Sequence, residues 1–229
     1  MATSDRCDRL DRVLEQRQPD LTVLAESLHK PRNFSAIVRT CDAVGINELH
    51  AVPGEDGLGT YWKTSQGAEK WVKVRAHETL EAACAYLRER GFQLVAAHLS
   101  DEATDYRELD YTHPTALVVG TELFGVSEAA LAGADRQVKI PMMGVTQSLN
   151  VSVACAIVLY EAMRQRQAAG MYGQSRLDGS LLKKQRFEWL HPQVADFCRQ
   201  RGLEYPDMDE SGNVTGDFPR GHPHLIDKG

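Results

Sequence analysis

The sequence lacks the patterns by which several large protein classes are recognised. Its five cysteines are scattered and form no C-x-x-C pair, which disfavours a zinc site and a disulfide framework and is typical of a reducing, cytoplasmic compartment. It contains no run of about 18 apolar residues, the length that a membrane-spanning helix needs. The charged N-terminus has none of the apolar stretch of a signal peptide. We therefore expect a cytoplasmic protein with no metal ion and no membrane association.

The commonest nucleotide-binding loops are also absent. No G-x-G-x-x-G occurs, so the fingerprint of a dinucleotide-dependent oxidoreductase is missing. The segment Gly120–Gly125 (GTELFG) has the glycine spacing of a P-loop, but Val126 and Ser127 follow where a P-loop requires Lys and then Ser or Thr. These residues exclude an NTPase of the P-loop type. Taken alone, the segment predicts only a glycine-rich turn.

The charge balance is not that of an ordinary nucleic-acid-binding protein. The formal net charge is −6, whereas nucleic-acid binders are typically basic. The charges are unevenly distributed, however, because the stretch from Glu161 to Arg201 contains eight basic and only four acidic residues. This stretch indicates either a patch that binds phosphates or a solvated helix face, and composition leaves both interpretations open.

What the sequence does contain is an alternation of strand-like and helical segments. Helical periodicity is clear from Pro31 to Gly45, where apolar residues form one stripe, and in the long segment 149–166. Such alternation predicts an α/β fold with a mainly parallel sheet and helices on both faces. The other predicted elements are strands at 48–52, 71–75, 93–98, 115–119 and 137–140 and helices at 78–90 and 192–202.

The 229 residues suffice for one sizeable core with short extensions. We predict an N-terminal helical extension at 1–19, a catalytic domain at 20–170, and a C-terminal helical extension and tail at 171–229. The long helix is apolar almost all round from Leu149 to Leu159, which predicts that its first half is buried. The segment 209–216 (DESGNVTG) predicts a loop or a frayed tail.

Three segments are candidates for chemistry because they follow predicted strands, where parallel α/β sheets bind ligands. They are Gly120–Gly125, Ile140–Gly144 and Gln147–Ser152. Ser148 or Asn150 suits the N-cap of the long helix and equally suits a pocket wall. Periodicity places Arg39 nearly opposite the apolar stripe of its helix, so this pattern alone indicates a solvent-facing arginine.

The order of these segments along the chain indicates a known family. Asn33 and Arg39, then Gly120-x-Glu122-x-x-Gly125, then Ile140-Pro141 with Gln147-Ser-Leu-Asn150, resemble the three motifs of the SPOUT-class RNA 2′-O-methyltransferases. Within that class the chain is most similar to the TrmH family of tRNA guanosine 2′-O-methyltransferases, which act at position 18 of the D-loop. The likeness is carried by residues 29–45, 98–112 and 147–172.

The resemblance implies a fold, a cofactor and a set of site residues. It implies a deep trefoil knot near the C-terminal part of the α/β core and S-adenosyl-L-methionine as the methyl donor. The implied cofactor-binding residues are Ala97, Gly120, Ile140 and Leu149, and the implied catalytic group is Arg39, Asn33, Glu122, Ser148 and Asn150. For Arg39 two roles stay open, a general base and a charged stabiliser of the developing alkoxide.

The resemblance also implies partners. It predicts a homodimer and a tRNA substrate, with the phosphate backbone held by the basic stretch 164–201 and by the N-terminal arginines Arg6, Arg9, Arg12 and Arg17. The alternatives are 2′-O-methylation of ribosomal RNA or of the tRNA wobble nucleotide by the same chemistry, and a non-catalytic RNA-binding module. The presence of all five implied catalytic residues disfavours the last of these.

Overall fold

Seven parallel strands and their covering helices make up the segment Gln18–Tyr172, the larger of two compact units. The second unit combines Met1–Arg17 with Gly173–Gly229. The computed structural model describes residues 4–28, 30–54, 70–121 and 124–215. Its helices are α1 (Ser4–Glu15), α2 (Pro31–Ala43), α3 (Leu80–Arg88), α4 (Glu128–Ala132), α5 (Val151–Ala168), α6 (Gly179–Leu190) and α7 (Pro192–Arg201).

The strands of the larger unit are all paired in parallel, in the order β3-β2-β1-β6-β4-β7-β5. Parallel pairing and central strands that are buried on both faces are what the apolar runs predict. The strands are β1 (Leu21–Glu26), β2 (Glu48–Val52), β3 (Lys73–Ala76), β4 (Gln93–Ala97), β5 (Thr104–Asp105), β6 (Thr115–Val119) and β7 (Arg136–Lys139).

Helices cover both faces of this sheet. Because successive strand side chains point to opposite faces, Val23 of β1 joins the cluster that α2 and α5 bury, whereas Leu24 joins the cluster buried by α3 and α4. In β6, Leu117 and Val118 divide in the same way. The predicted fold class, a mainly parallel α/β sheet with helices on both faces, is therefore confirmed.

Helix α3 is shorter than its predicted range of 78–90. The Thr79 hydroxyl accepts a hydrogen bond from the backbone N–H of Ala82 at 3.1 Å, and this N-cap fixes the first helical residue as Leu80. The strand predicted at 71–75 is likewise shifted, because β3 begins at Lys73 and pairs with Glu48 of β2.

Helix α5 corrects the prediction that its first half is buried. Cys155, Val158 and Leu159 are buried, but Val153 is 46% exposed, and Tyr160, just beyond the stretch predicted to be buried, is 49% exposed. The sequence pattern is apolar on all sides, whereas α2 and the sheet cover only one of them. The helix therefore presents an apolar side that the described part of its own chain covers only partly.

Arg166 also departs from prediction, since it was assigned to a phosphate-binding stretch. Its side chain is fully buried, and its guanidinium forms an ion pair with Asp20 at 2.6 Å. It also donates to the backbone carbonyls of Tyr111 and His113 at 2.8 and 3.0 Å. Arg166 thus ties the end of α5 to the segments before β1 and β6, and it cannot contact RNA.

The smaller unit contains α1, α6, α7 and a hairpin of β8 (Asp207–Met208) and β9 (Val214–Thr215). Residues 209–213 form the loop of this hairpin, as predicted for 209–216, whereas Val214 and Thr215 belong to β9 and Gly216 lies outside the described residues. This loop includes Gly212, with a φ of +79°, where an added Cβ would lie 2.9 Å from Leu190 Cδ1. This close approach to a helix orders the segment.

Within the smaller unit, Arg17 is also wrongly predicted to bind phosphate. Its side chain is fully buried, with the guanidinium 5.1 Å from the ring centroid of Trp189. Arg186 forms an ion pair with Asp11 at 2.6 Å. Arginines that look alike in sequence therefore differ in function, because several of them hold the fold together.

Across the described ranges, no helix is both long and apolar enough to cross a membrane. In the same part of the chain no group of three or more His, Cys, Asp or Glu side chains is arranged as a metal site.

Candidate active site

A cavity of about 490 Å³ opens at the carboxyl ends of β4, β6 and β7. Small-molecule sites typically measure roughly 300–1,000 Å³, and this edge is where parallel α/β sheets bind ligands. Two described residues among those predicted, Asn33 and Arg39, do not line it, and the predicted Glu122 lies outside the described residues. The predicted residues that line it are Ala97, Gly120, Ile140, Ser148, Leu149 and Asn150.

The turn after β6 requires glycine at both ends. Thr121 and Gly125 exchange two backbone hydrogen bonds, of 2.8 and 2.9 Å, which close the turn. A Cβ on Gly120 would lie 1.9 Å from the carbonyl oxygen of Gly125, a distance that no backbone adjustment of a few tenths of an ångström would relieve. Gly125 has a φ of +72°, which glycine adopts most readily. The motif therefore fixes a tight turn against the cavity.

Glu26 anchors the far side of this turn, and the sequence analysis missed it. Its carboxylate accepts hydrogen bonds from the Ser127 hydroxyl at 2.6 Å and from the Ser127 backbone N–H at 3.1 Å. The same hydroxyl accepts from the backbone N–H of Ala130 at 3.1 Å and caps α4. Ser127 is recognisable in sequence as an N-cap, but nothing local reveals that its partner is the last residue of β1.

Asn150 has two roles in the structure. Its side-chain oxygen accepts from the backbone N–H of Ser152 at 2.9 Å, which makes it the N-cap of α5. Its amide nitrogen donates to the side-chain oxygen of Asn33 at 3.2 Å. Asn33 is largely buried near the start of α2, so the amide pair joins the first and third motifs. Ser148 lines the cavity and leaves the capping to Asn150.

Arg39 is exposed on α2 and does not line the cavity of its own chain. In an α-helix, the six-residue separation from Asn33 corresponds to about 9 Å along the axis and about 120° around it. Helix α2 therefore presents Asn33 to the cavity wall and Arg39 to a different side. A single chain does not bring the whole predicted catalytic group together.

Lys139 fixes another wall of the cavity and is a second residue that the sequence analysis missed. Its ammonium group donates to the carbonyl oxygens of Ser100 and Asp101 at 3.0 and 3.4 Å. These bonds tie the loop after β4, which includes the lining residue His98, to the end of β7. A lysine that follows a strand gives no sequence signal for such a contact.

The lining combines apolar side chains with strand ends. Val119, Ile140, Leu149 and Val158 supply apolar surface, and the strand ends place backbone N–H and C=O groups beside it. Such a lining suits a flat heteroaromatic ring with a polar edge. These residues fit an adenosyl group.

A cysteine nucleophile in α5 is excluded by its surroundings. Complete burial raises the pKa of the Cys155 thiol to about 12, so the group stays protonated near neutral pH. All five cysteines are buried and unbridged. None of the described residues that line the cavity is a cysteine.

The fold and the cavity together define a parallel α/β protein with a ligand-sized cavity at the carboxyl ends of its strands. A model of the SpoU rRNA methylase family matches residues 20–160, and a model of the C-terminal region of SpoU rRNA methylases matches residues 164–217. The first match covers more than half of the chain. The chain therefore belongs to the SpoU methylase family.

The relatives of the chain are similar over most of its length. It is 54% identical to a tRNA (guanosine(18)-2′-O)-methyltransferase of Thermus thermophilus, over 82% of this chain and 97% of that protein. The crystal structure of the A. aeolicus TrmH/SpoU tRNA modifying enzyme is 46% identical, with a TM-score of 0.72 over 80% of this chain and 96% of that one.

A third neighbour is solved with a cofactor. The SpoU methyltransferase AviRb from Streptomyces viridochromogenes, in complex with AdoMet, is 27% identical with a TM-score of 0.59, over 67% of this chain and 62% of that one.

Proposed function

We propose that this chain transfers a methyl group from S-adenosyl-L-methionine to the ribose 2′-hydroxyl of guanosine 18 in the D-loop of tRNA. The observation that carries the proposal is the convergence of the turn after β6, the segment after β7 and the turn into α5 on one cavity. The substrate is taken from the T. thermophilus relative, whose name specifies guanosine 18.

In this proposal the cavity holds S-adenosyl-L-methionine. Ile140 and Leu149 pack against the adenine, backbone groups near Ala97 read its polar edge, and Gly120 permits the tight turn after β6 beside the ligand. The bound sulfonium supplies an already activated methyl group. The protein therefore has to position the ribose oxygen and assist the loss of its proton.

Arg39 is the residue that we assign to the ribose. Guanidinium groups remain charged in proteins, so Arg39 stabilises the developing alkoxide and binds a neighbouring phosphate rather than acting as a base. We assign Asn33, Ser148 and Asn150 to keeping the cavity wall in position beside the reacting groups. Glu122 is assigned to the same set because of its position in the motif.

We further propose that the active unit is a homodimer in which Arg39 reaches the cavity of the second subunit. Two observations support this arrangement. Arg39 is exposed and outside the cavity of its own chain. In addition, α5 exposes the apolar side chains Val153 and Tyr160, which a second copy would cover. A dimer would bury this surface and complete two sites at once.

The remaining basic residues of the smaller unit are our proposed tRNA contacts. With Arg17, Arg166 and Arg186 held within the fold, the exposed cations of α6 and α7 are the stronger candidates. They include Lys183, Lys184 and Arg201, the last of which lies over the Phe197 ring at 3.9 Å. Such groups hold phosphates without reading sequence.

We also propose that residues 20–170 form the catalytic domain, that its C-terminal part carries the trefoil knot, and that the extensions 1–19 and 171–229 serve the substrate. The tRNA substrate implies that the protein acts in the cytoplasm. Membership of the SpoU methylase family supports these assignments.

The experiment that tests the proposed function is methyl transfer from labelled S-adenosyl-L-methionine to unmodified tRNA transcripts, followed by mapping of the modified nucleotide. We expect 2′-O-methylguanosine in the D-loop. Methylation restricted to ribosomal RNA or to the wobble nucleotide would replace this substrate by one of the alternatives. Binding of RNA and of the methyl donor without any transfer would indicate a non-catalytic module.

A further inference from the structure

An aromatic ring stands in solvent at the mouth of the cavity. Phe124 lines the cavity, yet 81% of its surface is exposed. It is also the only phenylalanine, tyrosine or tryptophan among the described residues that line the cavity. Leu99, which also lines the cavity, is 53% exposed, so two large apolar side chains stand exposed at this one site.

The backbone beneath this ring is held in place. The backbone N–H of Phe124 donates to the Thr121 hydroxyl at 3.0 Å, and the next residue, Gly125, is bonded to Thr121 in both directions. Val126 is buried. The ring is therefore presented by a closed turn and is not the tip of a long, open loop.

We propose that Phe124 is the stacking platform for the nucleobase of the nucleotide whose ribose is methylated. The inference rests on the proposed function, because it requires a ribose at the cavity mouth. The base and the 2′-hydroxyl are carried by adjacent carbons of the sugar. A 2′ oxygen that reaches the methyl donor inside the cavity therefore brings its own base to the rim, where the exposed ring lies.

The chemistry of single-stranded RNA supports this occupant. Bases in RNA loops are splayed out and stacked on aromatic side chains when proteins recognise them. Such stacking contributes roughly 5- to 150-fold in affinity per base. Since every base has a π-face, Phe124 positions the nucleotide, and the choice of guanine needs other groups.

The test uses the full-length protein, saturated with S-adenosylhomocysteine, and a tRNA transcript with 2-aminopurine at the target position. Stacking quenches 2-aminopurine fluorescence, so wild-type protein should quench it. Phe124→Ala should abolish the quenching and weaken binding of this transcript roughly 5- to 150-fold. Phe124→Leu keeps apolar bulk without a ring and should also fail to quench the fluorescence. Phe124→Trp keeps an aromatic ring and should quench it as wild type does.

Three results would overturn the proposal. Equal quenching by wild type and Phe124→Ala would show that the ring does not touch the base. A loss of S-adenosyl-L-methionine affinity with unchanged tRNA binding would assign Phe124 to the cofactor. A changed oligomeric state would assign it to the contact between subunits. If wild type and Phe124→Ala methylate tRNA at the same rate, only this inference is wrong. If wild type transfers no methyl group to tRNA, the proposed function is wrong.

Discussion

Asn150 and Asn33 are joined by a hydrogen bond of 3.2 Å between their side-chain amides, and the same Asn150 caps α5 through Ser152. One residue thereby sets the start of the longest helix and holds the beginning of α2 beside the cavity. Helix capping and site geometry are separate properties of this side chain, so they can be separated by mutation.

Asn150→Ala should lose both properties. Loss of the cap should lower the free energy of unfolding by about 1 kcal/mol, and loss of the Asn33 contact should lower methyl transfer roughly tenfold. Asn150→Ser is the matched control, because serine caps helices well but is too short to reach Asn33. It should be as stable as wild type in urea denaturation and as slow as Asn150→Ala in methyl transfer. A fully active serine variant would remove the amide pair from the site.

Arg39→Ala should lower turnover by about 100-fold or more while the affinity for S-adenosyl-L-methionine stays unchanged, since we assign Arg39 to the ribose and its phosphate and not to the cofactor. Single-turnover kinetics and calorimetry measure the two quantities. Arg39→Lys keeps the charge but loses the bidentate fork, and it should be intermediate.

The proposal that Arg39 acts across a dimer can be tested separately. Arg39→Ala subunits and subunits with a cavity blocked by Leu149→Asp should each be inactive, and mixing them should restore part of the activity. Mixed dimers then carry one site with both an intact cavity and an intact arginine. If the subunits are shown to exchange and mixing restores no activity, Arg39 either acts at the cavity of its own subunit or takes no part in the reaction.

Gly120→Ala should damage the cavity, because its Cβ would lie 1.9 Å from the Gly125 carbonyl oxygen. Relief requires the backbone to move, which costs about 1–3 kcal/mol of stability and should abolish cofactor binding in calorimetry. Gly179→Ala is the control, since an added Cβ there meets no atom within 4 Å. Normal cofactor affinity in Gly120→Ala would contradict the turn geometry.

Local sequence signals predicted the fold and the three candidate segments after its strands, whereas the individual site residues were implied by the family resemblance. Strand ends, helix caps and paired glycines are each encoded by a few neighbouring residues, as at Gly120 and Asn150. The burial of Arg166 and the contact between Glu26 and Ser127 depend on partners far along the chain. Periodicity also cannot distinguish an apolar side that faces the core from one that stays exposed on its own chain, as Val153 shows.

Arg166 is predicted to stabilise the fold, although its place in the sequence suggests a basic patch that binds phosphates. Arg166→Met should lower the free energy of unfolding by about 3–5 kcal/mol, because it leaves Asp20 without its buried cation. Lys183→Ala is the matched surface variant. It should unfold like wild type but reduce the salt dependence of tRNA binding by about one phosphate contact. If Arg166→Met unfolds like wild type, the buried ion pair contributes nothing to stability.

A histidine pair should make the fold sensitive to acid. His50 Nδ1 lies 2.9 Å from His77 Nε2, and burial, which disfavours the charged form, lowers the pKa of His50 to about 4 despite the opposing effect of Glu48. In the unfolded chain the same imidazole takes up its proton near pH 6.5. Acidification from about pH 6.5 to 4 therefore stabilises the unfolded state relative to the folded one.

The predicted loss over that interval is on the order of 3 kcal/mol for His50, and it is absent above about pH 7. His50→Gln should flatten the dependence of unfolding free energy on pH between these limits, whatever its effect on stability at pH 8. Urea titrations at a series of pH values measure this slope. An unchanged slope in the variant would mean that His50 takes up its proton in the folded state as easily as in the unfolded chain, and that the acid sensitivity arises elsewhere.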